Sequence, residues 1–595
     1  MNFLFRYTLV LFMMSACGSG RQTERFVPVT EARDQVIERI IRQVPVQRLD
    51  SLDNAFVMNF ITKEEKQIFA DHHWIFTVNQ PAIVSVMRDI RQQPVPFWLT
   101  EKGFKNTDKT VKSQQYEYEV WQKQYPAGKI HLGINGFDLH RVVYFVAIGP
   151  AKKGGALNIT DVYPTNWPVI TMQKGAYMYN DWDELNVQEM PDELDGHTLF
   201  TTVRGRAREA SIVKSFRTTA HPSSATPDQI VLSWNDDPTT TQAVQWRTDT
   251  TVNDGYVRYW KQGSTEKDAQ ELSATFVRLK DAYISNDMSV NHWGVTITGL
   301  TPDTRYEYKT ISKQRNTNSE TYSFKTAPGK DAPFKFIFLG DTHNADIVKP
   351  VMEQALREHP DAAFLTHSGD HVGTGLFREM WERYIALGKE VFARIPFAPA
   401  LGNHDSQDGL PPTLYTQLFR LPENNDCNLT NGRNYTFKYA NARIFSVDAT
   451  GNTDDIACWL RQELNNATEM WKIVVMHFPP YTTEDSYPEL REKWCSLFDK
   501  YHVDLVLSGH IHQYFRSYPL LNNEAVAGPE KGTIYVSSVT VGKLGGNNAP
   551  SPKYNVTYSN KGGLFQIIEI NGKKLDFLSK CIDGEIIDKF QIVKP

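Results

Sequence analysis

Short apolar runs alternate with amphipathic stretches in the region 332–595. The runs 336–339 and 473–476 are apolar throughout, as expected of strands that are buried on both faces. Between such runs, 346–359 and 455–467 place apolar residues at helical spacing. Strands that alternate with helices form a mostly parallel sheet that is covered by helices. The pattern therefore predicts an α/β domain over residues 332–595.

Alternation of apolar and polar residues replaces this pattern between residues 222 and 328. The segments 230–234, 243–247 and 256–260 are typical of antiparallel strands. The later segment 300–308 resembles the corner of a fibronectin type III domain, in which a tyrosine hydroxyl ties the loop back to the backbone. We therefore predict a fibronectin III-like β-sandwich over residues 222–328.

The region 18–217 combines a helical start with a strand-rich remainder. Residues 30–43 carry an apolar stripe at helical spacing, and 141–147 and 198–203 have the pattern of strands. No catalytic constellation is evident in this part of the sequence. We expect a mostly β accessory domain, and the sequence leaves its role open.

The first 17 residues are typical of an export signal. Arg6 precedes an apolar segment, 7–14, that is too short to span a bilayer. Ser15 and Ala16 then precede Cys17, which resembles the lipobox of bacterial lipoproteins. We expect Cys17 to be acylated and to anchor the protein at the bacterial cell envelope, on the outer membrane or facing the periplasm. A plain secretory signal that is cut nearby is the alternative. No later apolar run reaches about 18 residues, so we expect the lipid to be the only membrane attachment.

The composition is that of an ordinary globular protein, with 41% hydrophobic and 22% charged residues. A net charge of −5 gives no reason to expect nucleic acid as a partner. Export implies an oxidising compartment, in which the later cysteines can pair. These are Cys427, Cys458, Cys495 and Cys581. Three pairings are open, and a buried free thiol at Cys495 is an equal alternative.

Five polar motifs follow the apolar runs of the region 332–595. They are Gly340-Asp341-Thr342-His343, Gly369-Asp370, Gly402-Asn403-His404-Asp405, His477 and Gly509-His510-Ile511-His512. An open α/β sheet binds its ligands at the carboxyl ends of its strands, where these motifs lie. The oxygen and imidazole donors are too many for one ion and suit two adjacent ions. The predicted metal ligands are Asp341, His343, Asp370, Asn403, His477, His510 and His512.

This ordered set resembles the calcineurin-like metallophosphoesterase superfamily. The resemblance implies two facing sheets in a four-layer α/β/β/α sandwich and two divalent or trivalent transition metal ions, iron, zinc or manganese. It gives the first ion Asp341, His343, Asp370 and His512, and the second ion Asp370, Asn403, His477 and His510. It also implies that His404 faces the phosphate as a catalytic residue and that Asp405 orients His404 from behind.

A sandwich directly before this domain is the layout of purple acid phosphatases, but the ligand set differs from theirs. Those enzymes have a tyrosine ligand where this chain has Gly373, and they lack the histidine that stands here at position 343. Their pair of phosphate-contacting histidines is not evident in 481–486. The resemblance therefore does not carry over an iron–tyrosinate colour, an acid pH optimum or strict monoester specificity. His371, next to Asp370, is a candidate for a supporting position beside the ligands.

The leading prediction is an exported, lipid-anchored enzyme with two metal ions that hydrolyses small phosphomonoesters by attack of a metal-activated water. One alternative is a phosphodiesterase or nucleotide hydrolase with the same site. Another is a surface binding protein in which the phosphoesterase domain is a relic. The natural substrate, the metal identities and the oligomeric state do not follow from the sequence.

Overall fold

A computed structural model describes residues 25–152, 154–165, 167–182, 185–423, 427–481, 487–541 and 553–595. Cys17 and the predicted export signal therefore lie outside the described residues. Within these ranges, no helix combines the length and the apolar character needed to cross a bilayer.

The accessory region begins with three helices, and a fourth helix lies among the strands of the two antiparallel sheets that follow. Its helices are α1 (Val29–Gln43), α2 (Asn54–Phe60), α3 (Lys63–Asp71) and α4 (Phe97–Glu101). Its strands are β1 (Trp74–Val78), β2 (Ala82–Asp89), β3 (Lys105–Lys112), β4 (Glu117–Tyr125), β5 (Gly128–Leu132), β6 (Phe145–Pro150), β7 (Ile159–Tyr163), β8 (Val169–Thr171) and β9 (Thr198–Phe200). One sheet has the strand order β5-β1-β7 and the other β3-β4-β2-β6-β9-β8.

The helix predicted over 30–43 is confirmed as α1, which buries its apolar stripe. The strand predicted over 141–147 is confirmed only in part, because β6 begins at Phe145. The preceding residues form a loop in which Asn135 Oδ1 accepts a hydrogen bond from the backbone N–H of Tyr144 at 3.1 Å. The Tyr144 hydroxyl donates to the carbonyl of Gly133 at 2.6 Å. Here side-chain hydrogen bonds replace the strand ladder that the apolar run favours.

Two antiparallel sheets form a sandwich in the middle of the chain. Its strands are β10 (Asp228–Ser233), β11 (Gln242–Asp249), β12 (Tyr256–Lys261), β13 (Gln270–Ser273), β14 (Thr275–Lys280), β15 (Ser289–Ile297), β16 (Arg305–Ser312), β17 (Thr317–Asn318) and β18 (Tyr322–Lys325). One sheet has the order β10-β11-β15-β14, and the other has β13-β12-β16-β17 with β18 beside β16. Trp246 and Trp293 are buried in the core between them. The predicted tie at the corner is present, since Tyr306 Oη accepts from the Thr301 N–H at 3.0 Å.

The remaining elements belong to an α/β unit with two large sheets. Its strands are β19 (Phe334–Leu339), β20 (Leu365–His367), β21 (Phe397–Pro399), β22 (Tyr435–Tyr439), β23 (Ala442–Val447), β24 (Trp471–Met476), β25 (Leu505–Ser508), β26 (Tyr514–Ser517), β27 (Leu520–Leu521), β28 (Glu524–Ala525), β29 (Ile534–Ser537), β30 (Asn555–Ser559), β31 (Leu564–Asn571), β32 (Lys574–Cys581) and β33 (Ile586–Val593). Its helices are α5 (Val348–Glu358), α6 (Arg378–Leu387), α7 (Lys389–Phe392), α8 (Asn403–Ser406), α9 (Thr413–Leu418), α10 (Thr453–Asn466), α11 (Pro488–Leu490) and α12 (Ser496–Tyr501). The first sheet has the order β21-β20-β19-β31-β32-β33 and the second β22-β23-β24-β25-β29-β26-β30.

The two sheets of the α/β unit face each other across one core. Ile568 of the first sheet and Val475 of the second belong to the same buried cluster. Val474, the residue before it in β24, points the other way and packs with Trp459 of α10 and Phe498 of α12. On the other side of the unit, α5 packs against β31 of the first sheet. The layers follow the predicted order of helix, sheet, sheet and helix.

A buried charge network joins the sandwich to the α/β unit. Glu382 on α6 contacts Arg247 of β11 at 2.8 Å and Arg378 at 2.6 Å. Its second carboxylate oxygen accepts from the Thr219 hydroxyl at 2.7 Å. All three charged side chains are buried, so removing one would leave an uncompensated charge. The network therefore fixes the sandwich against α6.

Two of the four later cysteines are paired and two are not. Cys427 and Cys458 form a disulfide that closes a loop of sequence separation 31. Cys495 and Cys581 are free and buried. Burial raises the pKa of the Cys495 thiol to about 12, which suits the alternative of a buried structural thiol.

Candidate metal centre

The seven predicted ligands lie at one edge of the two facing sheets. Asp341 and His343 follow β19, Asp370 follows β20, Asn403 comes after β21, His477 follows β24, and His510 and His512 follow β25. In the first sheet β21, β20 and β19 are parallel neighbours, and in the second sheet β24 and β25 are. Parallel neighbours end at the same edge, so the fold joins groups as distant in sequence as His343 and His512, which are 169 residues apart.

Asp341, His343 and His512 form the first group of donors, with their ligand atoms within 4.8 Å of one another. The Nε2 atoms of His343 and His512 are 3.0 Å apart. His512 Nε2 also lies 3.0 Å from Asp341 Oδ2. Asp341 Oδ2 is buried, and among the residues that the structure describes it has no polar partner apart from the imidazoles around it. A buried carboxylate oxygen that faces two imidazole nitrogens is the arrangement expected of a metal site.

Asp370, His477 and His510 form the second group. His477 Nε2 lies 3.3 Å from Asp370 Oδ2 and 2.9 Å from Asn403 Oδ1. The same oxygen of Asp370 is 3.5 Å from His343 Nε2, which belongs to the first group. Asp370 Oδ2 therefore lies between the two groups, in the position of a shared ligand.

The two carboxylates are held in the same way. Asp341 Oδ1 accepts a hydrogen bond from the backbone N–H of His510 at 2.8 Å. Asp370 Oδ1 accepts one from the backbone N–H of His404 at 2.8 Å. Each carboxylate thus uses one oxygen to fix its orientation and presents the other oxygen to the imidazoles.

The electrostatic field of the cluster favours positive charge at its centre. Burial alone would raise the pKa of Asp341 and Asp370, but the imidazoles, His477 first, outweigh it and hold the pKa of both carboxyl groups below the ordinary value. Burial lowers the pKa of His477, yet Asp370 and Asp341 overcome this effect and raise it to about 9. Protons or metal ions can supply the charge that the two carboxylates favour.

The residues present fit two metal ions that share Asp370. His477 Nδ1 donates to the carbonyl of Ser368 at 3.1 Å, which leaves Nε2 for the cluster. Metal-binding histidines commonly donate their second ring nitrogen in this way. Imidazole and carboxylate donors together suit zinc, iron and manganese. The Ser368 carbonyl has no signature in the sequence, because any residue could provide it.

The ligands take backbone conformations that few residues adopt. His343, Asp370, His510 and His512 have φ of 41°, 55°, 71° and 52°, in the left-handed region that usually costs non-glycine residues energy. Two glycines allow the close approach. A Cβ on Gly402 would lie 2.2 Å from Asp370 Oδ1, and a Cβ on Gly509 would lie 2.1 Å from Asp341 Oδ1. The glycines of these motifs therefore leave room for the carboxylates.

His404 lies beside the cluster. One of its ring nitrogens is within 4.8 Å of the ligand atoms of His343 and Asp370. Its Nδ1 donates to the carbonyl of Gly373 at 2.9 Å, so its Nε2 is the nitrogen left for a ligand.

The predicted role of Asp405 behind His404 is wrong, because the Gly373 carbonyl occupies that place. Asp405 Oδ2 instead accepts from the backbone N–H groups of Asp370 and Gly402, both at 2.9 Å. It also lies 2.8 Å from Nδ1 of His371, and Oδ1 accepts from the His371 N–H at 2.9 Å. Asp405 thus ties the loop of Asp370 to the loop of Asn403. His371 has the supporting position that the sequence suggested, stacked on His367 with ring centroids 4.1 Å apart.

Comparisons with known families agree with this geometry. Residues 334–514 match the calcineurin-like phosphoesterase family. Residues 227–326 match the N-terminal domain of purple acid phosphatases. The chain therefore combines a calcineurin-like phosphoesterase domain with a purple acid phosphatase N-terminal domain. The predicted absence of a histidine pair concerns 481–486, of which 482–486 lie outside the described residues.

Individual relatives are similar over about half of the chain. An uncharacterised protein of Mycobacterium tuberculosis is 26% identical over 49% of this chain, which spans only 62% of that relative. A purple acid phosphatase of Glycine max is 25% identical over 55% of this chain and 76% of its own length. A purple acid phosphatase from yellow lupin (Lupinus luteus) seeds superposes with a TM-score of 0.54 at 14% identity, over 87% of this chain and 93% of its own. This last likeness shows a shared fold.

Gly402→Ala should weaken metal binding, because its Cβ would meet both the backbone nitrogen and Oδ1 of Asp370 at 2.2 Å. We expect metal affinity to fall by about 10–100-fold, as for other changes to groups that position ligands. Gly373→Ala is the matched control, since its Cβ meets only Met380 Sδ, at 3.9 Å. Metal analysis after dialysis measures both variants. Equal metal retention would show that the approach of Gly402 does not position Asp370.

Asp405→Ala should destabilise the protein and release metal, since it leaves several buried N–H groups without an acceptor. A loss of about 3–5 kcal/mol in the free energy of unfolding is expected for removing a buried charged partner. Asp405→Asn keeps one acceptor oxygen and should lose less stability and less metal than Asp405→Ala. Urea unfolding and metal content are the measurements. If Asp405→Ala kept full stability and full metal but turned over slowly, a direct action on His404 would be the better explanation.

Proposed function

We propose that this chain is a metal-dependent phosphoesterase that hydrolyses small phosphomonoesters by attack of water. The observation that carries the proposal is the convergence of seven ligand side chains on one edge of two sheets, with Asp370 shared between both groups. The similarity to purple acid phosphatases supports the same activity. The intact ligand set argues against a relic domain.

The roles of the residues follow from their positions. Two bound ions would bind phosphoryl oxygens and supply an activated water at neutral pH. The donors of the two groups would hold the ions, and Asp370, whose Oδ2 lies between the two groups, would contribute to both. The ring of His404 is oriented by the Gly373 carbonyl at 2.9 Å, and its Nε2 can donate a proton to the leaving oxygen. The backbone N–H of His404 bonds to Asp370 Oδ1, which couples the position of this acid to the position of the shared ligand.

We also propose that the sandwich is of the fibronectin III type. Its two antiparallel sheets and the hydrogen bond from Thr301 to the Tyr306 hydroxyl support this assignment. A tyrosine that ties down a corner in this way fixes the loop just before β16. On β16, the Tyr308 hydroxyl donates to the carbonyl of Ala393, the residue that follows α7, at 2.8 Å.

Export with a lipid on Cys17 is proposed as well. The disulfide between Cys427 and Cys458 supports an oxidising compartment. We expect the mature chain to begin at an acylated Cys17. Mass spectrometry of the N-terminal peptide from native membranes measures this, and an unmodified start beyond Cys17 would show a plain secretory signal instead.

Metal-loaded protein should hydrolyse phenyl phosphate faster than bis(phenyl) phosphate. His404→Ala should keep both ions and lose about 10²–10⁴ in turnover, the range usual for one acid–base group. The loss should be large for an alkyl phosphate, whose alkoxide leaves poorly, and much smaller for a nitrophenyl phosphate, whose phenolate leaves without a proton.

His359→Ala, which changes the C-terminal cap of α5, is the control for removing a histidine outside the cluster. Fully loaded protein that cleaves neither ester would favour a binding protein, and faster cleavage of the diester would favour a phosphodiesterase. Loss of metal in His404→Ala would make His404 a ligand.

A further inference from the structure

A cavity of about 550 Å³ opens beside the metal centre and is shared by two parts of the chain. Asn403 and His404 line it on the side of the phosphoesterase. Arg141, Asn180 and Arg204 line it from the accessory region. The volume is within the range of small-molecule sites, about 300–1,000 Å³. A substrate whose phosphate reaches His404 would therefore place its leaving group against the accessory region.

The accessory wall is fixed to the loop that follows His404. The backbone N–H of Gly205 donates to the carbonyl of Asp408 at 2.9 Å. A Cβ on Gly205 would lie 2.3 Å from Leu410 Cγ and 2.7 Å from that carbonyl, so the contact is close. Gln407 and Asp408 have φ of 60° and 57°, a conformation that the surrounding contacts must hold. The wall and the proposed acid are thus parts of one rigid arrangement.

The charges around the cavity do not cancel. Arg204 Nε pairs with Asp181 Oδ2 at 2.7 Å, and Arg433 Nε pairs with Asp448 Oδ2 at 2.7 Å. Asp408, in contrast, is shared by two guanidinium groups. Its Oδ1 contacts Arg141, and its Oδ2 accepts from Arg208 Nη2 at 2.9 Å. One guanidinium charge is therefore in excess at the cavity.

Arg141 is the arginine whose position allows its charge to contact a ligand in the cavity. Its side chain is 44% exposed while the Asp408 carboxylate is fully buried. One of its nitrogens is engaged by Asp408, and a guanidinium carries five N–H donors in a fork that matches a phosphate or a carboxylate. A substrate anion in the cavity would meet these remaining donors.

We propose that the cavity binds a second anionic group on the leaving group of the substrate, with Arg141 as the main contact. The substrate class is then a small phosphate ester that carries a further phosphate or carboxylate, and the accessory region determines specificity. This inference rests on the proposed phosphoesterase activity. It gives the accessory region a role that the sequence alone leaves open.

The experiment compares kcat/KM on four esters with metal-loaded protein: a hexose bisphosphate, the matching hexose monophosphate, 3-phosphoglycerate and glycerol phosphate. The first pair tests a phosphate as the second anion, and the second pair tests a carboxylate. We expect the wild type to have the higher kcat/KM on the ester with a second anionic group in at least one pair. Arg141→Gln should lower kcat/KM on that ester about 10–100-fold, the range for a lost hydrogen bond to a charged group. It should change kcat/KM on the other ester of the pair by less than about threefold.

Arg141→Gln should fold, since Asp408 keeps its pair with Arg208. Arg141→Lys keeps the charge without the planar fork and should retain part of the preference. Arg258→Gln is the matched control, because Arg258 is a part-exposed arginine of the sandwich that pairs with Glu266 and Glu271. It should behave as the wild type on all four esters.

The outcomes separate the two proposals. Inactivity of the loaded wild type on all four esters would overturn the proposed function, and this inference with it. Activity without any preference, or an equal loss on all four esters in Arg141→Gln, would overturn the inference alone and leave Arg141 as a partner of Asp408.

Discussion

The site depends on keeping two buried carboxylates ionised side by side. Asp341 and Asp370 are almost fully buried, and a buried charge is costly unless it is paired and hydrogen-bonded. The structure meets this constraint with one backbone N–H for each carboxylate and with imidazoles around their second oxygens. Both N–H groups belong to residues next to or within ligand motifs, His510 and His404. The ligands therefore position one another, and no single one can move independently.

This mutual support explains why strained backbone is concentrated at the strand ends. Four ligands hold φ values in the left-handed region, and such residues persist only where the surroundings determine them. Asp405 provides part of that determination, since its carboxylate accepts from the N–H groups of Asp370, His371 and Gly402. It stabilises two ligand loops through their backbones, so its effect on chemistry is indirect. The two facing sheets also hold this backbone in place, because the strands before the ligands end at the same edge.

Features that depend on residues close together in the sequence were predicted correctly. Features that depend on contacts between distant residues were not. The ligand motifs, helix α1 and the tie at Tyr306 each depend on residues within a few positions of one another. The partner of Asp405 depends instead on how the loop after β20 meets the loop after β21. The pairing of Cys427 with Cys458 depends on the path between them. The strand predicted at 141 was lost to hydrogen bonds of the loop around Asn135. Local periodicity contains no information about any of these contacts.

The accessory region contacts the short segment 403–410 directly, and the sandwich is linked to the same segment through α6. Asn403 and His404 belong to the site, and Asp408 is buried against Arg141 and Arg208 of the accessory region. The Gly375 N–H donates to the His404 carbonyl at 2.7 Å, just before α6, whose Glu382 contacts Arg247 of the sandwich. A displacement of either neighbouring part would reach the His404 ring through these buried contacts. Packing of this density transmits displacement rather than absorbing it, so the accessory region and the sandwich act as supports of the site and not as separate modules on a linker.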